Sequence, residues 1–413
     1  MMGRAVRLFD SILLLSIVIL PFSMAIANAP LNIFSGVIVA AYLLKKVALK
    51  QSMRLDSKVA IPLVIFFLIT CISIANSVDI KDTLKGGIGR LLWYISILFI
   101  LGESISNAKL LNKIFISVVF SLCLVSINGI WQVAVGKDFI RGYEPIINIG
   151  LVRATASFPD ANVLGTFLSA LAPLLFGLTL YYYEGRKKAL LVFLSFLVIV
   201  GIVITYSRPT LLATFIVFLF FGIIKKDKKL LFILIIILCA APLLAPRSVK
   251  DWVRSNNYNP LRVMCNDDRI AIYRNSFNMI KAHPFLGVGA NTFMKNYRHY
   301  KEKPEYLNQV TSDYCYAHNN FFQMAAEIGL FGLTVFIWFL YNLFKSLFKI
   351  HACLKDNYLK IICLSLIASL LSFLINGLTE SSFYSSRIAV IFWYFAGMCL
   401  GLKSFIPKDA IRS

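Results

Sequence analysis

The chain has 413 residues, 59% hydrophobic and only 15% charged, with a mean hydropathy of +0.76 and a formal net charge of +22. No soluble domain of this length needs so much apolar surface, and the apolar residues fall in long blocks. A pI of about 9.7 suits nucleic-acid binding only where a basic soluble domain exists, and the sequence has none.

A helix needs roughly 20 apolar residues to cross a ~30 Å hydrocarbon core. Blocks of that kind stand at about 9–27, 30–44, 59–76, 88–102, 113–135, 162–183, 189–206, 209–224, 230–246, 319–344, 359–378 and 387–403. The expected fold class is therefore an all-α integral membrane protein with about twelve transmembrane helices. Arg4 and Arg7, an apolar stretch and Ala25, Ala27 and Ala29 resemble a cleavable signal. The stretch is long for one and a second span follows at once, so it reads as the first span.

Lysines and arginines in short loops report orientation. One set of loops, with both termini, holds 23 of them, including Lys45, Lys46, Lys50, Arg186–Lys188 and Lys225–Lys229; the short loops of the other set hold eight. Both termini are expected on the cytoplasmic side, and most of the net charge is an orientation signal. The expected division is nine helices over 1–246, a large outer loop or lid with short helices over 247–316, and three helices over 317–413, in one membrane domain. Cys265 and Cys315 lie in that loop and are either a disulfide or two free thiols. No Cys/His cluster has metal-site spacing, so no metal is expected. No internal repeat or low-complexity tract appears, and the glycine-rich pieces GGIG (86–89) and GVGA (287–290) read as plain turns.

From Ala189 to Ile224 the only charged residue is Arg208. As one helix this run would measure about 54 Å, so it must fold back at Ser207–Thr210. Pro209 suits the first turn of the second helix, which leaves Arg208 at the tip of a helical hairpin. An arginine at a membrane face with no acid nearby in sequence calls for a functional explanation.

Other unusual polar residues fall on the same outer side. Arg153 precedes the sixth span. In CNDDRIAIYRNSFNMIKAHPF, Asp267 or Asp268 is a plausible cap for a helix ending at His283–Pro284, with Arg269 in its first turn and Arg274 in its second. His318 opens the tenth span in YAHNNFFQMAAEIGLFG. Arginine matches phosphate with a flat fork of donors and never loses its proton, so two or three beside the bilayer suit a lipid-linked diphosphate. The helix dipole at His318 disfavours a charged imidazole, and a neutral ring suits a general base. Gln323 and Glu327 make a polar stripe on the same helix. Arg274, Asn319, Gln323 and Glu327 are supporting candidates, although Arg274 reads more simply as a solvated residue. The simpler readings of the others are a snorkelling anchor for Arg153, a hairpin cap for Arg208, an Asp267 or Asp268 salt bridge for Arg269, and a structural cap for His318.

The runs HNNFFQMAAEIGLFG, DDRIAIYRNSFNMIKAHPFLGVGANTF and SRPTLL, with the Arg153 segment, resemble the O-antigen ligase/O-antigen polymerase superfamily. The resemblance implies a bacterial inner-membrane, multi-pass, GT-C-like glycosyltransferase that is metal-independent, needs no cofactor and has its active site facing the periplasm. By motif it implies Arg153, Arg208 and Arg269 on the donor diphosphate and His318 as catalytic base. The implied donor is a glycan on undecaprenyl diphosphate, and a ligase's acceptor is a sugar hydroxyl of lipid A–core or another glycan. Inversion is the simplest outcome, because no candidate nucleophilic carboxylate stands out beside the histidine. A polymerase with the same donor, a protein O-glycosyl ligase and a polytopic transporter are the alternatives, and no nucleic-acid partner is expected.

Overall fold

The computed structural model describes residues 2–52, 57–148, 150–259, 267–302 and 315–407. All twelve apolar blocks lie on helices. In chain order these are α1 (Met2–Ile26), α2 (Asn28–Leu49), α3 (Ser57–Ile72), α4 (Arg90–Ser104), α5 (Ala108–Val135), α6 (Ala161–Tyr181), α7 (Gly185–Val203), α8 (Arg208–Ile224) and α9 (Lys228–Leu244). Three shorter helices follow, α10 (Arg247–Ser255), α11 (Asp267–Ala282) and α12 (Phe293–Tyr297). The chain closes with α13 (Asn320–Cys353), α14 (Asn357–Asn376) and α15 (Ser386–Gly401). Of the described residues, only Ile146–Asn148 (β1) and Leu151–Arg153 (β2) form strands, an antiparallel ribbon pairing Ile146 with Arg153.

Side-chain caps fix several helix starts: Asn107 accepts from Leu110 N, Asp160 from Asn162 N, Asp227 from Leu230 N and Asp356 from Leu359 N. Each satisfies a backbone donor that would otherwise be orphaned. Among the described residues, nine helices are long and apolar enough to cross a membrane, or ten if α9 and α10, bent by 80°, form one span. The remaining blocks are shorter or more charged: α8 has 17 residues, and α7 opens with Arg186–Lys188. α6, α14 and α15 form the centre and are mostly buried. α7 and α9 turn Phe193, Phe196, Phe232 and Ile235–Leu238 outward. An exposed apolar belt of that extent suits lipid and not water, and the chain is a multi-pass membrane protein.

Two expectations need correcting. The block 319–344 is not one unbroken helix, because α13 breaks at Gly329 (φ +73°). The segment after α11 plugs the break: Val288 N and Gly289 N donate to the carbonyls of Ala326 and Glu327, and Leu330 N donates to Pro284 O. Irregular backbone at such depth is tolerated only where protein satisfies it. A Cβ on Gly329 would lie 2.0 Å from Phe285 O, so glycine is required there. The two glycine-rich pieces are likewise more than turns. GGIG forms a wide helical turn after α3, and Cβ atoms on Gly86 and Gly87 would meet Asn291 at 2.1 Å and Ala290 at 2.7 Å. Their lack of side chains lets the plug seat.

Within 247–316 the structure describes α10 to α12; Cys265 lies outside the described residues, and its pairing with Cys315 with it.

Candidate active site

The site is built from four separated segments. β2 ends at Arg153, whose Nε donates to Thr205 O at 2.9 Å, while Ala154 N donates to Ile204 O at 3.0 Å. The ribbon is thereby tied to the α7–α8 turn that carries Arg208. That arginine opens α8 with Pro209 behind it, and its guanidinium lies over the Trp252 ring of α10, 4.5 Å from the centroid. Arg269, in the first turn of α11, forms an ion pair with Glu380 from the α14–α15 loop; the side chains are only 13% and 12% exposed. The anticipated Asp267 or Asp268 bridge is thus not the whole environment of Arg269, which points inward to a carboxylate from another part of the chain.

Arg153, Arg208 and Arg269 line one cavity of about 350 Å³. Asp160, Asn162 and Tyr206 complete its polar wall, and Pro209, Leu211, Val249 and Trp252 make an apolar one. Burial draws the Arg153 pKa below its ordinary value; Asp160 and Glu380 oppose this and neighbouring Arg269 adds to it. Like charges gathered this closely are unfavourable unless an anion shares them.

His318 is not on the cavity wall but one carboxylate away. Its Nδ1 lies 3.4 Å from Glu380 Oε2, while Glu380 Oε1 accepts from Arg269 and, at 2.9 Å, from Asn162 Nδ2. Asn162 Oδ1 in turn accepts from Arg153 at 2.8 Å. One carboxylate thus joins the histidine to two arginines. Burial pushes Glu380 up, but the His318 hydrogen bond and the Arg269 charge outweigh it and hold the group below the usual carboxylate value. An ionised Glu380 accepts only, so the hydrogen bond to it requires the Nδ1 proton and leaves Nε2 as the outward nitrogen. The imidazole is 37% exposed and its backbone is left-handed (φ +49°), an uncommon conformation for a residue with a side chain.

The supporting candidates separate. Arg274 points away from the cavity, 61% exposed and 3.9 Å from Glu302. Asn319 caps α13 by accepting from Phe321 N and Phe322 N. Gln323 is buried and accepts from Ala317 N and from the Ser381 hydroxyl at 2.6 Å. Glu327 accepts from Asn291 N at 2.8 Å and Phe293 N at 3.3 Å, which clamps the plug. These three brace the backbone around His318 and do not line the arginine cavity. Sequence reasoning missed Glu380, the carboxylate beside the histidine, whose oxygens are taken up by Arg269, Asn162 and His318. A signal for it existed: Glu380 is the only acid between Asp356 and Asp409. Asn162 and Trp252 were missed as well. Among the described residues no group of three or more His, Cys, Asp or Glu is arranged to hold a metal ion.

Fold and site together define a multi-pass membrane protein with an arginine-lined cavity wired to a histidine. A family model described as O-antigen ligase matches residues 190–337, from α7 into α13, and so includes Arg208, Arg269 and His318. The chain is also 26% identical to an O-antigen polymerase of Salmonella muenchen over 277 residues, 60% of this chain and 64% of that protein. The match spans a little under two thirds of that relative's length. Over these residues the chain is similar to the O-antigen ligase family and to that O-antigen polymerase, in line with the resemblance read from its sequence.

Proposed function

We propose that this protein is an O-antigen ligase, moving a glycan from undecaprenyl diphosphate to a sugar hydroxyl of lipid A–core at the periplasmic face of the inner membrane. The proposed topology has twelve spans with both termini cytoplasmic, nine in 1–246 and three in 317–413, and the 247–316 loop covers the periplasmic site. One observation carries the reading: three arginines line a cavity that Glu380 connects directly to His318. The arginines suit a diphosphate, and the apolar wall of Leu211, Val249 and Trp252 suits the lipid beside it.

In the step itself, the acceptor oxygen forms a bond to the donor sugar C1 as the bond from C1 to the phosphate oxygen breaks. His318 Nε2 takes the acceptor proton, and undecaprenyl diphosphate leaves with the electron pair. Diphosphate is a good leaving group, so fixed guanidinium donors that stabilise the growing charge serve in place of a strong acid. Glu380 acts through His318, holding Nδ1–H and balancing the imidazolium that forms. A single displacement inverts C1, and no residue chemistry here requires a metal or cofactor.

The second reading, polymerase, draws on the named activity of the Salmonella muenchen relative; there the acceptor is another lipid-linked glycan. The break in α13 is a feature transporters share, but the charges of this site gather at one end of the bundle. Purified protein supplied with a lipid-linked glycan and both acceptors tests the reading. Ligase activity yields lipid A–core carrying the glycan; lengthened lipid-linked glycan alone indicates polymerase; no new glycosidic linkage with either acceptor contradicts both.

A further inference from the structure

A transferase of the proposed kind must also seat the sugar that bears the attacking hydroxyl, within reach of His318 and outside the space the donor fills. Residue 316 lies two positions before His318 and is not on the arginine-cavity wall. Tyr316 is 39% exposed, and its ring rests against that of Tyr384 with centroids 6.1 Å apart. Tyr384 lines the same pocket as buried Glu327, the carboxylate that clamps the plug. A second supported aromatic lies close by: Phe322, 36% exposed, takes Tyr273 edge-on at 5.3 Å. The Tyr273 hydroxyl donates to His318 O at 3.1 Å. Two partly exposed rings, each packed on a second ring, therefore stand two and four residues from the base along the chain.

We propose that Tyr316 is the platform for the acceptor sugar, its exposed face packing against the C–H face of the pyranose beside His318; this rests on the glycosyl-transfer reading above. The ring face carries the negative lobe of the aromatic quadrupole, which favours weakly positive C–H edges, and the phenol hydroxyl adds a polar handle. Stacking tolerates different sugars, so the assignment holds for either acceptor class.

The test is steady-state transfer by full-length Tyr316→Ala and Tyr316→Phe protein in nanodiscs. Donor and acceptor are varied separately, using whichever of lipid A–core and a second undecaprenyl-diphosphate glycan the wild type accepts. The expected result is an acceptor KM raised about tenfold by alanine and changed less than about twofold by phenylalanine, about 1.4 and 0.4 kcal/mol, with donor KM unchanged in both. An unchanged acceptor KM in the alanine variant overturns the proposal, as does a phenylalanine variant as poor as alanine or a rise in donor KM alone. A wild type that forms no linkage fails earlier and sinks the transfer reading itself; a wild type that transfers while the variants behave alike sinks only the platform.

Discussion

Two glutamates lie near His318 in the fold, and their partners differ in kind. Glu327 is held by the backbone N–H groups of Asn291 and Phe293 and by Gln323. Glu380 is held by Arg269, His318 and Asn162. The first closes the break in α13 and fixes the plug; the second sits between the groups assigned to base and diphosphate. A buried carboxylate is thus informative through its partners and not through its burial, and substitutions at the two positions should have opposite signatures.

The largest expected effect belongs to the residue Glu380 serves. His318→Ala should lower the transfer rate by ~10²–10⁴, the usual worth of a general base, while undecaprenyl diphosphate binding stays within about twofold. Loss of binding along with rate would assign His318 to the donor site.

Glu380→Gln comes next. A charge-assisted hydrogen bond is worth about 1.5–3 kcal/mol, so kcat should fall about 10- to 100-fold. Removing one partner of a largely buried ion pair should also cost about 3–5 kcal/mol of stability when Glu380 is replaced by alanine. The pH dependence follows from the direction of the Glu380 shift. Its folded pKa lies below the ordinary 4.5, so the unfolded chain takes up the proton first as pH falls. The stabilisation is fully present above about pH 4.5 and is lost as pH drops through the folded value. Thermal melts of wild type and Glu380→Gln between pH 7 and 3 should therefore converge at the acid end; curves that stay parallel would remove the ionised-carboxylate assignment.

The smallest effect on chemistry is expected from Glu327→Gln. The amide keeps an acceptor for one backbone N–H and gives up the other, which should lower stability by roughly 1–3 kcal/mol. Turnover at a temperature where the variant is folded should stay within about threefold of wild type. A loss of kcat equal to that of Glu380→Gln would erase the distinction between the two glutamates.

Much of this was legible in the sequence for physical reasons. Spans declare themselves because lipid demands long apolar runs, and Arg208 is conspicuous because nothing else in 189–224 is charged. Periodicity likewise places α11 and, with it, Arg269. What sequence conceals is pairing. Glu380 is 62 residues from His318 and 111 from Arg269, and no local pattern joins them. Gln323 and Glu327 follow His318 four residues apart on one helix, which drew attention to the wrong acid. The break at Gly329 is hidden for the same reason: glycine inside an apolar run reads as helix until the carbonyl of Phe285 is seen where a side chain would have to go. The glycines of 86–89 and 287–290 show their purpose only when the two segments are brought face to face.

The central claim is that the arginine cavity grips a lipid diphosphate. Its most direct test is undecaprenyl diphosphate binding to the purified full-length protein in nanodiscs, comparing wild type with Arg153→Ala/Arg208→Ala. Two charge-assisted contacts at about 1.5–3 kcal/mol each predict an affinity at least 100-fold weaker in the double variant. Equal affinity in the two proteins would contradict the account.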